Sequence, residues 1–281
     1  MDVICAPSEM RKWSADHKRS GSTIGFVPTM GDIHEGHKSL VRMATASSGQ
    51  TVVSIFVNPM QFSSGEDFDH YPRKRDEDLA ACEELGVNAV FMPEPEAMYP
   101  DSSNVYVDED RLSNVLCGPF RPCHFRGVLT VVAKLFNIVS PDSTYFGQKD
   151  AQQAVLIRHM ISAMNYAIEF HMGPTVREHD GLAISSRNRY LSSEERQRAV
   201  CLYDSLVFAR ELHGSGECAA DVIKSRMRRL IEDDALPVDI DYIEIVDAVT
   251  LEPVDTVKPH ALIALAVRVG KTRLIDNVLV E

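Results

Sequence analysis

The sequence lacks the features that mark exported, membrane-spanning or disulfide-stapled proteins. Its N-terminus has no basic segment followed by a long apolar stretch, so we expect no signal peptide. The longest purely apolar run, Ala261 to Val267, is far shorter than the ~20 residues that cross a bilayer. The six cysteines are dispersed and form no C-x-x-C pair, which argues against a disulfide framework or a structural zinc site. We therefore predict a cytoplasmic protein with reduced thiols and no membrane partner.

An excess of positive charge is also absent. Lysine and arginine number 29 against 41 aspartates and glutamates, which gives a net charge of −12 at pH 7. This balance argues against nucleic acid as a partner, because DNA and long RNA require a broad basic surface. A small anionic ligand stays possible, since a few local basic residues can build a site within an acidic protein. Hydrophobic residues make up 44% of the chain, as is ordinary for a soluble globular protein.

Strand-like and helix-like segments alternate in the first part of the chain and group separately in the second. Short apolar runs predict strands at 23–27, 51–57, 88–92 and 144–146, and helical periodicity predicts helices at 38–46, 75–85, 127–138 and 152–164. This alternation favours an α/β fold with a Rossmann-like parallel sheet. Later, helices at 193–212 and 218–231 precede strands at 238–246, 262–269 and 274–280, a pattern typical of a smaller α+β domain. We predict domains at 1–175 and 176–281, with the linker near Gly173-Pro174.

The most informative segment is the glycine-bearing turn from Pro28 to His37, which separates a predicted buried strand from a helix start. Free N–H groups and the positive end of the helix dipole would face an anion there. A P-loop is excluded because His37 separates Gly36 from Lys38 and turns the lysine about 100° round the helix. No G-x-G-x-x-G follows a predicted strand, and the H-E-x-x-H spacing of a zinc site is absent. The segment therefore predicts phosphate binding without either nucleotide motif and without zinc.

Several sequence blocks in fixed order resemble those of one enzyme family. The turn carries the H-x-G-H signature of the nucleotidyltransferase superfamily at His34 and His37. The further blocks are Val57-Asn58-Pro59-Met60-Gln61-Phe62, His124-Phe125-Arg126-Gly127-Val128, Phe146-Gly147-Gln148-Lys149-Asp150 with Gln153, the segment Asp180 to Asn188, and Leu274-Ile275-Asp276-Asn277. Together they resemble the pantoate–β-alanine ligase (pantothenate synthetase) family. The resemblance implies that ATP adenylates the carboxylate of (R)-pantoate, releasing pyrophosphate, and that the amine of β-alanine then displaces AMP.

The resemblance also implies a set of site residues. His34, His37, Lys149 and Arg187 would be catalytic, with His37 also able to protonate the leaving pyrophosphate. Gln61 and Gln153 would bind pantoate, with Met30 and Phe62 packing against its geminal methyl groups. The residues implied for ATP are Met30, Gly31, Asp32, Ile33, His34, Glu35, Gly36, His37, Gly147, Gln148, Lys149, Asp150, Val176, Ile184, Ser185, Ser186 and Arg187. Mg²⁺ is implied on the triphosphate rather than in a protein cage, and a homodimer is implied as the assembly.

Some points stay open at the level of sequence. Cys123 stands where the family pattern leads us to expect glycine, so a positive φ there would be strained. We expect Glu77 and Asp78 on a solvated helix face, although the family resemblance leaves open that acidic residues here lie near the active site. Arg121 and Arg126 are expected near the site, with a direct ligand role undecided. A plain nucleotidyltransferase with no amine step is the enzymatic alternative, and a nucleotide-sensing module is the non-enzymatic one.

Overall fold

The larger of two sheets is fully parallel, as the alternation of segments predicts. The computed structural model describes residues 1–63, 65–100, 104–233 and 236–280. The strands of this sheet are β1 (Asp2–Ile4), β2 (Ile24–Thr29), β3 (Gln50–Ile55), β4 (Ala89–Phe91), β5 (Ser143–Gly147) and β6 (Glu169–Gly173). Their spatial order is β1-β4-β3-β2-β5-β6, with every pairing parallel. The order reverses between β2 and β5, and ligands bind such sheets at the carboxyl ends of the strands at this switch point.

Helices cover both faces of the parallel sheet. They are α1 (Pro7–Arg19), α2 (Glu35–Ser47), α3 (Arg75–Glu84), α4 (Pro95–Met98), α5 (His124–Val139) and α6 (Ala151–Ala163). Side chains of β2 point alternately to the two faces: Phe26 packs with the apolar side of α5, whereas Val27 packs with Leu40 and Val41 of α2. Burial of both faces explains why β2 is a continuous apolar run rather than an alternating one.

The C-terminal part holds a three-stranded antiparallel sheet. Its elements are α7 (Ser193–Arg198), α8 (Cys201–Gly214), α9 (Ala220–Glu232), β7 (Val238–Asp247), β8 (Ala261–Val269) and β9 (Thr272–Leu279). Ile263 and Leu265 of β8 face a core formed with α8 and α9, whereas Leu262 and Ala264 join the core of the parallel sheet. The apolar run noted in the sequence is therefore a strand buried on both faces.

The expected fold class is confirmed: an α/β parallel sheet is accompanied by a smaller α+β unit. Three elements, β1, α1 and β6, were not predicted from the sequence. β6 is a strand at the edge of the sheet whose residues are mostly half-buried or exposed, so it carries no apolar run. The single helix expected at 193–212 is two helices, with Ala199 and Val200 in a turn between them. Among the described residues, no helix is long and apolar enough to cross a membrane.

Candidate active site

A cavity of about 220 Å³ opens at the carboxyl ends of β2 and β5, where the strand order reverses. Fifteen predicted site residues line it: Met30, His34, Gly36, His37, Gln61, Phe62, Gly147, Lys149, Asp150, Gln153, Val176, Ile184, Ser185, Ser186 and Arg187. Five predicted ATP-binding residues lie outside this lining, namely Gly31, Asp32, Ile33, Glu35 and Gln148. Glu35 is exposed and pairs with Lys38 and Arg42 on α2. The cavity thus unites segments that are far apart in the chain.

The turn between β2 and α2 is held by a buried carboxylate. Gly31 and Asp32 have φ values of 88° and 51°, so the backbone reverses sharply before α2. Asp78 of α3 accepts hydrogen bonds from the amides of Asp32 (3.0 Å) and Ile33 (2.7 Å). A Cβ at Gly31 would lie 2.9 Å from the Asp78 carboxylate, which explains the glycine. The expectation that Asp78 is solvated was wrong: it is 3% exposed, because the orphan amides of the turn require an acceptor.

The two histidines of the turn stack on each other at the start of α2. Their ring centroids are 3.9 Å apart with an interplanar angle of 20°, and the His34 amide lies 3.5 Å from Nδ1 of His37. Burial, assisted by the Lys149 ammonium, lowers the pKa of His34 to about 4. Burial and the neighbouring His34 lower the pKa of His37 well below its ordinary value. Both rings are therefore neutral at pH 7 and can donate N–H hydrogen bonds to an anion without carrying charge.

A cation near the histidines comes from the segment after β5. Lys149 lies in a short 3₁₀ turn, Gln148–Asp150, and its ammonium is 3.6 Å from the Asp150 carboxylate. Asn277 of β9 donates to the carbonyls of Gln148 (2.9 Å) and Lys149 (3.0 Å). The C-terminal sheet thereby fixes the lysine-bearing turn, which gives a structural reason for the sequence block at 274–277.

Two amide side chains, those of Gln61 and Gln153, also line the cavity. The Gln61 Oε1 accepts a hydrogen bond from Asn58 (3.1 Å), and its Nε2 lies 2.8 Å from the Met30 sulfur. These contacts orient the amide before any ligand arrives. Gln153 lines the cavity from α6, and its side chain has no hydrogen bond to another of the described residues. Phe62 and Met30 add apolar surface beside Gln61.

The serine–arginine segment, Ser185 to Arg187, also lines the cavity. Ser185 Oγ accepts from the Arg187 amide and so starts a 3₁₀ turn, Ser186–Tyr190. The Arg187 guanidinium donates to both oxygens of Asp67, at 2.8 and 3.1 Å. Asp67 did not emerge from the sequence, because nothing in its spacing links it to Arg187, 120 residues later.

A second arginine is held in the same way on the adjacent wall. Arg121 donates to both oxygens of Glu66 (2.7 Å each) and to Nε2 of His124 (2.9 Å). His124 Nδ1 then donates to the Gln61 carbonyl (2.7 Å), so its neutral tautomer carries hydrogen on Nδ1. Burial and the Arg121 charge lower the pKa of His124 to about 3. Arg121 therefore contributes to the cavity through a positioned network, whereas Arg126 pairs with Asp108 and is not among the lining residues.

Cys123 adopts the left-handed conformation that the missing glycine would favour. Its φ and ψ are 65° and −2°, directly before α5. For a residue with a Cβ this conformation costs about 1 kcal/mol. The local backbone is thus suited to glycine, and the cysteine occupies it under strain.

The H-x-G-H turn opens α2 at the switch point of a parallel sheet, and this arrangement places the chain among the doubly wound α/β proteins that bind ligands at the carboxyl ends of their strands. Comparison with known proteins identifies the family within this class. The sequence pattern of the family described as Pantoate-beta-alanine ligase matches residues 2–279. The chain therefore belongs to the pantoate–β-alanine ligase family.

Relatives of this chain are similar along their whole length. It is 52% identical over 280 residues to pantothenate synthetase from Thermosipho africanus, covering 100% of both chains. The crystal structure of pantothenate synthetase from Thermus thermophilus superposes with a TM-score of 0.93 at 39% identity, covering 99% of each chain. The Francisella tularensis pantoate-beta-alanine ligase, described as complexed with Beta-gamma ATP and Beta-alanine, superposes with a TM-score of 0.82 at 30% identity and covers 99% of this chain and 97% of that one.

Proposed function

We propose that this ligase condenses (R)-pantoate with β-alanine to pantothenate through a pantoyl-adenylate, with release of pyrophosphate and AMP. One observation carries the proposal: a single cavity joins the stacked histidines, Lys149, the 185–187 segment and the two glutamines. ATP and β-alanine, which the Francisella tularensis structure contains by its description, are the proposed co-substrates here.

In the first step, the pantoate carboxylate attacks the α-phosphorus and pyrophosphate leaves. We assign Lys149 and Arg187 to the phosphate oxygens, because cations aimed at developing charge stabilise such a transition state. Ser185 and Ser186 add hydroxyl donors. His34 and His37 are assigned as neutral N–H donors at the helix start. Protonation of pyrophosphate by His37 stays a prediction, because the lowered pKa makes the ring neutral at pH 7 before the triphosphate arrives, and an adjacent polyanion raises a histidine's pKa.

In the second step, the β-alanine amine attacks the acyl carbon and AMP leaves. Pantoate must stay oriented between the two steps. We assign this task to Gln61 and Gln153, whose neutral amides can bond its hydroxyls and leave its carboxylate free to react. Met30 and Phe62 offer apolar surface to its methyl groups. The preset orientation of Gln61 supports its role, because an ordered donor loses little entropy on binding.

Mg²⁺ is proposed to enter with ATP. The described part of the chain holds no group of three or more His, Cys, Asp or Glu side chains that could bind a metal. A Mg²⁺ ion held mainly by phosphate oxygens and water needs no such group of side chains. We assign Asp150, which lines the cavity beside Lys149, to contacts with the hydration shell of Mg²⁺. When bound, Mg²⁺ would neutralise part of the triphosphate charge.

Three further points are proposals of the same kind. We propose a domain boundary at 175/176, supported by the end of β6 at Gly173, and limited proteolysis tests it. We propose a homodimer on the family resemblance, and sedimentation velocity tests it. We propose a cytoplasmic location, which suits six cysteines that are all free, and cell fractionation tests it.

One assay tests the central proposal against its alternatives. AMP formation from ATP and pantoate is measured with and without β-alanine. We expect AMP only when both substrates are present. Pyrophosphate release followed by a stable nucleotidyl product, indifferent to β-alanine, would instead indicate a plain nucleotidyltransferase. ATP binding without turnover would indicate a sensor.

A further inference from the structure

A single ion pair joins the two segments that frame the ATP site. Arg189 Nη2 lies 2.8 Å from Asp32 Oδ1. Asp32 belongs to the H-x-G-H turn, and Arg189 belongs to the 3₁₀ turn that carries Ser186 and Arg187. Among the described residues, no other ion pair or hydrogen bond connects 28–37 with 185–190. Neither side chain lines the cavity. Asp32 was implied for ATP only as part of the turn, and Arg189 has no predicted role in substrate binding.

The charge balance of the turn gives this pair its importance. The Asp32 side chain is 1% exposed, and its Oδ2 is buried without a hydrogen-bond partner. Asp78, 3% exposed, lies against the same turn and binds the Asp32 amide. Two carboxylates, Asp32 of the turn and Asp78 of α3, are thus buried at the same place. A buried charge is tolerated when it is paired. Arg189 supplies the cation and, because it is 48% exposed, can do so with little desolvation of its own.

The other contacts of the 185–190 segment lead elsewhere. Arg187 pairs with Asp67, Tyr190 Oη donates to the His70 carbonyl at 3.5 Å, and Asn188 donates to the Ala183 carbonyl at 3.0 Å. The Asp67 contact must be exchanged when Arg187 binds phosphate. The Asp32–Arg189 pair lies outside the cavity and can persist through that exchange.

We propose that Arg189 is a positioning residue for adenylation: through Asp32 it fixes the distance between the serine–arginine segment and the stacked histidines, so that both contact one triphosphate. The inference rests on the proposed function. It predicts a larger effect on ATP than on pantoate, because Gln61 and Gln153 belong to other segments and Met30 is the one residue of the turn assigned to pantoate.

The experiment compares R189Q, R189K, D32N and the double variant D32N/R189Q in pyrophosphate release at saturating β-alanine, with ATP and pantoate varied in turn. We expect R189Q and D32N each to raise KM for ATP about tenfold. The pair has one exposed and one buried partner, so its loss should cost more than that of an exposed ion pair and less than that of a fully buried one. KM for pantoate should change less than about twofold. R189K should recover most of the loss, and the double variant should be no worse than the poorer single one.

R228Q is the matched control, because Arg228 is 47% exposed and pairs with Glu232 on α9, which contributes no residue to the cavity lining. It should leave both KM values unchanged. Additive effects of D32N and R189Q, equal changes in both KM values, or a lower melting temperature with unchanged KM for ATP would each overturn the proposal. If the wild-type chain released no pyrophosphate, the proposed function itself would fail.

Discussion

Replacing His124 with asparagine should flatten the pH dependence of the protein's stability. In the native structure Arg121 donates to His124 Nε2, and His124 Nδ1 donates to the Gln61 carbonyl. Protonation of His124 would put a hydrogen on Nε2, facing the N–H groups of the Arg121 guanidinium. Protonation is therefore unfavourable in the folded protein. Burial and Arg121 accordingly lower the pKa of His124 to about 3, against about 6.5 in an unfolded chain.

The sign and size follow from proton linkage. Between pH 6.5 and 3 the unfolded chain binds more protons at this residue than the folded one, so stability falls as the pH falls. From pH 7 to pH 5, His124 alone accounts for a loss of about 2 kcal/mol in the free energy of unfolding. H124N removes this contribution, whereas the other histidines contribute to both proteins and cancel in the comparison.

The assay is urea unfolding followed by the fluorescence of Trp13, the single tryptophan, in α1. H124N should be less stable at pH 7 by about 1–2 kcal/mol, because the Arg121 donor loses its acceptor. Its further loss between pH 7 and 5 should be about 2 kcal/mol smaller than that of the wild type. As an internal control, the difference between the two proteins should stay constant within about 0.2 kcal/mol between pH 7 and 8. Parallel pH profiles down to pH 5 would refute the reasoning.

Three further substitutions test the site and one strained residue. H37A should lower kcat about 10²–10³-fold, the size typical of losing one transition-state donor, and a change below about threefold in pyrophosphate release would contradict its role. Q153A should raise KM for pantoate more than KM for ATP in steady-state kinetics, and equal increases would count against the assignment. C123G should raise the free energy of unfolding by about 0.5 kcal/mol, since relief of the left-handed strain exceeds the added chain entropy. A destabilised C123G in urea unfolding would show that the cysteine side chain contributes packing that its exposure conceals.

Local pattern was sufficient for most of the fold. Segments such as β2, buried on both faces, and α5, with a continuous apolar side, carry their own periodicity, and their predicted positions agree with the structure. β6 was missed because an edge strand with half-buried residues has no such pattern. The helix expected at 193–212 was predicted too long, because a two-residue turn leaves no mark on an amphipathic run.

The residues of the site also differ in whether the sequence alone could predict them. Residues within matched blocks, such as His37, Lys149 and Arg187, could be proposed from sequence, and the structure brings them to one cavity. The residues that hold them could not. Asp78 supports the turn from α3, and Asp67 holds Arg187 from a loop far away in sequence. Such partners depend on tertiary packing, so no spacing rule along a single chain can identify them.

The cavity also explains how a chain with a net charge of −12 can bind a polyanion. Arg121, Lys149 and Arg187 are the cations of the wall, and Glu66, Asp150 and Asp67 respectively lie against them. Local charge is therefore balanced, and long-range attraction contributes little to ATP binding. Affinity for ATP has to come from an exchange of hydrogen-bond acceptors, in which phosphate oxygens replace carboxylate oxygens on guanidinium groups that are already ordered. The neutral histidines and the backbone amides at the start of α2 add further donors. An anion that lacks the geometry to make this exchange gains nothing over the resident carboxylates, so the same balance favours a triphosphate over simple anions.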